Sequence, residues 1–460
     1  MDFLSELQGN ATNSNSKTAI EYTAQASSTI VSGEVRLTLD DDGLTVTALF
    51  DTAKIAFSEI NALEITNYVI TVKADSGDYF FSHMGNWCLP FYEALSDTYN
   101  KAVLRSLFIN EKPIITAKGD YNYIESGVSN SGATAIHVYE NNVAILPPDV
   151  SARRVPLCFV TGMDKGNYEL TLSLDTGERY TYAKLGYDTA PFADAVERQI
   201  RKLREDSIVA VLDIDPTLTT AQASQIAKLM PRGAAVSFGR LTGLAPSFAA
   251  ALIDKIDDTR AAEYYNTLCE LNDPLSIWVG FRKNDTANDT SIESGFVLDQ
   301  NISESKDSDA YLIWLIAPSP DGRFAVVEFA EADSATFVYD TDGDFDSFAK
   351  KINRALEAID FKREVIRLSD LELRKPENAD YYMAAKRTSA LQLVRSKFVG
   401  RVIHSSPVSW KRKLMEMCSS GPIKKESPAP TLTEAKFCVQ CGATIAPGMK
   451  FCGICGFKIG

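Results

Sequence analysis

Only three histidines occur in the 460 residues, and His83, His137 and His404 lie far apart. Each reads as a lone structural residue rather than as part of a proton-transfer or metal-binding cluster. The chain also lacks a nucleophile elbow, a zinc-protease helix motif and a phosphate-binding glycine loop, which speaks against the common hydrolase and nucleotide-dependent classes. No stretch approaches the roughly 18 uninterrupted apolar residues of a membrane-spanning helix. The start, Met1-Asp2-Phe3-Leu4-Ser5-Glu6, has neither the basic region nor the apolar core of a secretory signal, so the expected compartment is the cytoplasm. Cysteine forms no disulfide framework: Cys88, Cys158, Cys269 and Cys418 are scattered, as is usual in a reducing compartment. The first three read as core filler. Cys418 sits among polar residues and is expected to be exposed.

What is present is soluble-protein composition, 45% hydrophobic and 23% charged, on a length that implies about three domains. The net charge of −14 hides an asymmetry. Residues 371–460 hold 15 Lys and Arg against 6 Asp and Glu, a net of +9, which leaves −23 on residues 1–370. An acidic body repels nucleic acid and anionic membrane, whereas a basic tail attracts either, or folds back on the body.

Two stretches resemble each other at an offset of 100. Asn67-Tyr68-Val69-Ile70-Thr71-Val72 and Asp75-Ser76-Gly77-Asp78 return as Asn167-Tyr168-Glu169-Leu170-Thr171-Leu172 and Asp175-Thr176-Gly177-Glu178. After a one-residue insertion, Pro90-Phe91 matches Pro191-Phe192. Each copy reads as short alternating strands followed by one helix. Residues 34–39 and 44–50 flank the turn Asp40-Asp41-Asp42-Gly43, and Phe91, Leu95, Val103 and Leu107 form a helical stripe mirrored by Phe192, Val196, Ile200 and Leu203. This α+β element order resembles tandem pleckstrin-homology-like domains, partly open barrels plugged by a carboxy-terminal helix, over residues 31–108 and 133–206.

A more diverged β-then-helix unit is expected over 274–368, where Ala332-Asp333-Ser334 echoes Ala74-Asp75-Ser76 and Phe345, Phe348, Ile352, Leu356 and Ile359 form the stripe. The remaining segments are an N-terminal segment (1–30), a connector (109–132), a helical segment punctuated by prolines (207–273), an exposed polar loop (284–309), a basic amphipathic helix (369–404), a flexible linker (405–435) and a terminal metal module (436–460).

The terminal module carries the most specific chemistry. Cys438-Val439-Gln440-Cys441-Gly442 and Cys452-Gly453-Ile454-Cys455-Gly456 are two Cys-x-x-Cys-Gly knuckles, able to place four thiolates in the closed tetrahedron that structural zinc favours. Each trailing glycine permits the sharp turn that points amide N–H groups at sulfur. So short a segment buries too little apolar surface to fold alone, so a single structural Zn2+ is expected to supply its folding free energy. The segment resembles the short zinc-ribbon family common at the ends of bacterial proteins. The resemblance implies ligand roles for Cys438, Cys441, Cys452 and Cys455, contact with protein or nucleic acid, and no catalysis.

Three further stretches bear on chemistry. Ile208-Val209-Ala210-Val211-Leu212-Asp213-Ile214-Asp215 is similar to the first motif of haloacid-dehalogenase-type phosphatases, which implies a nucleophilic Asp213, an acid/base Asp215 and a second-motif Ser237 at a strand end. Pro216 stands where that family has glycine, and the alternative is a helix-capping turn formed by Asp215 with Thr217 or Thr219. Phosphoinositide binding needs basic first-hairpin loops, and those here are Asp40-Asp41-Asp42 and Glu140-Asn141-Asn142. Lys386, Arg387, Arg395, Lys397, Arg401, Lys411, Arg412, Lys413, Lys424 and Lys425, with Phe398 and Trp410 between them, read as a solvated or body-docked face, a nucleic-acid contact or a membrane-surface contact. The sequence thus predicts a non-catalytic, cytoplasmic adaptor that binds a protein partner. The alternatives are a nucleic-acid contact through the basic tail and ribbon and a phosphatase at Asp213 and Asp215; no small-molecule substrate is implied.

Overall fold

The computed structural model describes residues 20–125, 127–259, 261–283, 311–330, 335–420, 436–437 and 444–445. The first unit has seven strands: β1 (Ile20–Ser27), β2 (Gly33–Leu39), β3 (Gly43–Thr47), β4 (Thr52–Ala56), β5 (Ile60–Thr66), β6 (Val69–Ala74) and β7 (Gly77–Ser82). Their order is β4-β3-β2-β1-β7-β6-β5, so β1 pairs with both β2 and β7 and curls two antiparallel meanders into one open barrel. Asn67 and Tyr68, both at positive φ, make the tight β5–β6 hairpin. Helix α1 (Cys88–Ser106) then plugs the barrel with Phe91, Leu95, Tyr99 and Val103, each fully buried. Burial of each side chain of this size contributes about 1.5–3 kcal/mol.

The second unit repeats the order with β8 (Ile115–Glu125), β9 (Val128–Val138), β10 (Asn142–Leu146), β11 (Arg153–Pro156), β12 (Val160–Gly166), β13 (Glu169–Leu174), β14 (Arg179–Ala183) and helix α2 (Thr189–Ile214). Phe192, Val196, Ile200 and Leu203 are all buried in its core. This order and the closing helix are those of a pleckstrin-homology-like fold.

Both first strands lie outside the ranges expected for the repeats. β1 belongs to the segment read as an N-terminal extension, and β8 to the segment read as a connector. Alternation is present in both, since Ala24 and Ala26 are buried in β1 and Ala117, Tyr121 and Tyr123 in β8. It is built from alanines, or diluted by Lys118, Gly119, Asp120 and Asn122, and so gives a weak apolar signal.

The third unit departs from the barrel. Helices α3 (Thr220–Leu229), α4 (Phe238–Leu244), α5 (Pro246–Asp257) and α6 (Ala262–Leu271) precede or interrupt a six-stranded antiparallel sheet of β15 (Val236–Ser237), β16 (Trp278–Lys283), β17 (Tyr311–Pro318), β18 (Phe324–Phe329), β19 (Ala335–Asp340) and β20 (Phe398–Ile403). The strands follow in simple sequence order, without the crossover of the first two sheets. Both faces are covered. Val279, Phe281, Leu315 and Val326 pack on the helices after α2, whereas Trp278, Trp314, Val327 and Phe337 pack on helix α7 (Phe345–Ala358) and the helices that follow it. Burial on both faces explains the near-continuous apolar runs of these strands. The expected stripe holds, with Phe348, Ile352, Leu356 and Ile359 buried. Ala332-Asp333-Ser334 and the polar loop at 284–309 lie outside the described residues.

Several expected boundaries fall inside elements. The helical segment does not begin at 207, because α2 runs unbroken to Ile214. The basic segment is no single helix: it comprises α9 (Asp370–Leu373), which follows α8 (Glu364–Arg367), then α10 (Ala379–Arg387), α11 (Ser389–Lys397) and the edge strand β20. Thr388 breaks the helix with extended backbone, and the β-branched Val399, Val402 and Ile403 favour a strand. Pro407 starts α12 (Pro407–Ser420), in the segment read as linker.

Gly233, at φ +77, sets the approach of the chain to β16, because a Cβ there would stand 1.5 Å from the Phe281 carbonyl oxygen. Gly233→Ala is expected to destabilise the protein at least twice as much as Gly33→Ala. Gly33 shares a positive φ but has open space around it, and its substitution costs about 1–2 kcal/mol. Denaturant midpoints of the two variants check this.

Candidate metal centre and the docked basic arm

At the carboxy-terminal end, β21 (Lys436–Phe437) pairs antiparallel with β22 (Thr444–Ile445), in the register Lys436↔Ile445 and Phe437↔Thr444. This pairing joins the two ends of the stretch of sequence that contains Cys438 and Cys441. Cys438, Cys441, Cys452 and Cys455 themselves lie outside the described residues. Their donor chemistry suits zinc, since four thiols at this spacing supply the soft, fully protein-derived ligand set of a closed site. Among the described residues no cluster of three or more His, Cys, Asp or Glu side chains is placed to hold a metal ion.

Half of the cations of the basic arm between the body and this hairpin are engaged by the body. On α10, Lys386 Nζ lies 2.7 Å from Asp75 Oδ2 and donates to Ser58 O and Asn61 Oδ1, each at 3.2 Å. Arg387 is wholly buried and reaches into the first barrel, donating to Ile60 O at 3.3 Å and Tyr99 Oη at 2.5 Å while bonding Met383 O in its own helix. Arg395 on α11 gathers the carbonyls of Val365 and Leu368 at 2.6 and 2.8 Å and the Asp370 carboxylate at 2.8 Å. Lys397 pairs with Asp342 and Lys411 with Glu270. Phe398 packs on Phe337 and Tyr339. Arg401, Arg412 and Lys413 are less engaged, with Arg401 on an outward position of β20; Lys424 and Lys425 lie outside the described residues.

Helix α12 is pinned by a buried polar knot. Trp410, with no exposed surface, donates through Nε1 to Thr336 Oγ1 at 2.8 Å, and Thr336 donates in turn to the buried Glu328. His404 Nε2 stands 3.0 Å from Glu328 Oε1, and Tyr264 stacks on the His404 ring at 4.2 Å. Burial pushes the Glu328 carboxyl above its ordinary range, opposed by His404 and Thr336. Cys418 on the same helix is buried, contrary to the exposure expected from its polar neighbours, because the helix turns it toward the core that holds Trp410 and Leu414. Cys88 is also buried, while Cys158 and Cys269 are half-buried beside apolar cores.

The phosphatase-like residues are not assembled. Residues 208–212 form the end of helix α2, not the strand such a motif requires. Asp213 pairs with Lys283 at 2.9 Å. Asp215 is the C-cap of α2, donating its N–H to Val211 O at 3.1 Å, and its carboxylate closes the following turn by accepting from Thr217 N at 2.9 Å and Thr217 Oγ1 at 2.6 Å; that hydroxyl holds the carboxyl below the usual range. Thr219 and Gln222 form a reciprocal capping box on α3, and Ser237 caps α4. The helix-capping reading is therefore the one the structure supports. His83 bonds Ser82, and His137 bonds Tyr139. Asp40-Asp41-Asp42 is not the first hairpin loop, because β1 adds a strand ahead of it: the first hairpin is the β1–β2 turn at residues 28–32, which holds no Lys or Arg, whereas Asp40, between β2 and β3, accepts from the Asp42 and Gly43 amides and pairs with Lys54 at 3.2 Å.

Asp75 gives the docked arm an acid limit. Burial raises its carboxyl pKa, but hydrogen bonds from Lys386, Tyr382 and Asn61 outweigh that and hold it below the ordinary 3.8. A depressed carboxyl contributes stability that is present above 3.8 and is lost as pH falls through the lower folded-state value. Asp75→Asn is expected to loosen α10, read as faster proteolysis between residues 374 and 397 at neutral pH. It should also remove that part of the acid-induced loss of stability, which a comparison of denaturant midpoints from pH 5 to 2.5 would measure.

No curated protein matches this sequence. The structure of the Spt16D Pob3N heterodimer aligns with 35% of this chain and 86% of its own at 12% identity, but the TM-score of 0.14 carries neither fold nor function across. No described helix is long and apolar enough to cross a membrane. The model of the zinc-ribbon domain matches residues 437–459, the stretch that holds all four clustered cysteines. The chain thus carries a zinc ribbon at its carboxy-terminal end, joined to an α+β body whose first two units are pleckstrin-homology-like.

Proposed function

We propose that this is a non-catalytic, cytoplasmic adaptor, in which a rigid acidic body presents a zinc ribbon that engages a protein partner. The observation that carries this reading is the fate of the basic arm. Lys386, Arg387, Arg395, Lys397 and Lys411, which read in sequence as a cationic surface, are spent on carboxylates and carbonyls of the body. A nucleic-acid or membrane contact of useful affinity needs several unpaired cations presented together, because each neutralised phosphate adds its own counterion release. The ribbon is then the segment left to make contacts. One zinc ion, held by Cys438, Cys441, Cys452 and Cys455, has a structural role there, since four thiolates leave no open position for a substrate or water.

The nucleic-acid alternative keeps Arg401, Arg412 and Lys413 with the lysines of the linker and ribbon. Two measurements separate the readings. Chain purified without a metal-affinity tag should contain close to one zinc per molecule, and Cys438→Ser/Cys452→Ser close to none, with the thermal transition of the body unchanged. Folded, metal-free parent protein would remove the ribbon from the proposal. Titration with single- and double-stranded DNA and RNA should give no saturable binding at physiological salt. Binding that weakens steeply with salt and is lost on Arg412→Ala/Lys413→Ala would favour the alternative.

A further inference from the structure

The two barrels are joined by a contact that one edge makes and its counterpart does not. At the edge of the first barrel, β5 shifts register between Ile60 and Ala62, leaving the outward groups of Asn61 and Leu63 available. The loop between β10 and β11 fills them. Leu63 N donates to Pro148 O at 2.7 Å, Val150 N donates to Asn61 O at 3.1 Å, and Asp149 sits opposite Ala62 in an antiparallel bridge. The flanking Leu146 and Ala152 are buried in the first barrel's core, and Leu63 is only 2% exposed beneath the segment.

Among the described residues, the second barrel carries the same edge without an occupant. Its β12 shifts register between Val160 and Gly162 and continues as Met163↔Leu172, matching Leu63↔Val72 one hundred residues earlier. The shared register turns Met163 N–H and Thr161 C=O away from β13, the strand that alone pairs with β12 among the described residues. Gly162 replaces Ala62 at the bridge position, which lets another backbone approach closely. Met163 is half-buried where Leu63 is covered, so apolar surface remains for an occupant to bury.

We propose that the outer edge of β12 is a second protein-interaction site, one that accepts an extended, antiparallel peptide segment of the type Pro-x-aliphatic from a partner. The template is the chain's own Pro148-Asp149-Val150. Main-chain pairing at Thr161 and Met163 gives the register, and apolar residues flanking the three-residue core give the anchoring, as Leu146 and Ala152 do. A second copy of this chain is the poorer occupant. Its topologically equivalent loop, Ala48–Asp51, carries the exposed Leu49 and Phe50 but is closed into a tight turn by Ala48 N to Asp51 O at 2.8 Å, so it offers no extended stretch. This site lies on the body and is independent of the zinc ribbon.

The test is fluorescence anisotropy of a labelled peptide, Leu-Pro-Pro-Asp-Val-Ser-Ala, added to the full chain. Saturable binding is expected, and it should be unchanged in Cys438→Ser/Cys452→Ser, which separates this site from the ribbon. Met163→Pro removes the outward N–H without touching the β13 ladder and should weaken binding by up to about tenfold, the upper worth of one lost hydrogen bond. A peptide N-methylated at its valine should lose as much on the unaltered protein, a readout that does not depend on how the variant folds. Absence of binding at millimolar peptide, or binding that neither Met163→Pro nor N-methylation of the peptide weakens, would overturn the proposal. So would concentration-dependent self-association in sedimentation that Met163→Pro abolishes, since it would assign the edge to a second copy.

Discussion

The guanidinium of Arg387 is the interaction on which the docking of α10 against the first barrel depends. A charge with no exposed surface is tolerated only where it finds acceptors, and here the two terminal nitrogens are met, one by Met383 O in its own helix and the other, across a gap of nearly 330 residues, by Ile60 O with Tyr99 Oη beside it. Tyr99 is itself the centre of the α1 plug and packs edge-on against Phe57. The first barrel and α10 are thus fixed by the same ring. Lys386 and Asp75 add a second point on the same face, so that α10 has little freedom to rotate.

A related device ties the second barrel to the third unit. Arg354 and Glu357 lie one turn apart on α7, and both are almost completely buried. Arg354 reaches Tyr180 Oη and Glu178 in the second barrel, whereas Glu357 pairs with Arg232 from the chain before β15. Asn353, on the same helix, donates to Ala235 O and accepts from Ala235 N, both at 2.9 Å. Buried polar contacts therefore join the units at their seams, beside apolar ones such as Leu146, Ala152 and Met383 in the first barrel's core. Polar seams specify orientation more sharply than apolar ones, because a slip leaves a buried charge without a partner.

Features that depend on local periodicity are legible in the sequence, and those that tertiary context decides are not. Phe91 and Phe192, the Asn-Tyr pairs and the paired glycines Gly77 and Gly177 identified the helices and hairpins, because a helical stripe and a positive-φ turn are written in neighbouring residues. β1 and β8 were missed because small or polar residues suffice on strands whose pairing is supplied from both sides. The two-residue β15 has too little sequence to show a period, and β20 follows directly on a helix. The basic arm was correctly read as dense in charge, but sequence alone does not tell a solvated cation from one like Arg387. The zinc ribbon was legible because metal ligation depends on spacing rather than on long-range packing.

The third sheet has a consequence for how the protein is made. Its first strand is at residues 236–237 and its last at 398–403, so the sheet spans more than a third of the chain. A ribosome must deliver β20 before the open edge of β19 is closed, and until then Ala335–Asp340 presents a largely apolar strand with unpaired backbone. The two barrels, whose contacts close within about 100 residues each, are complete long before that. The nascent chain therefore carries two finished domains and one unfinished sheet, and the interval in which α7 to α11 are translated is when it is most open to mispairing and most in need of a chaperone.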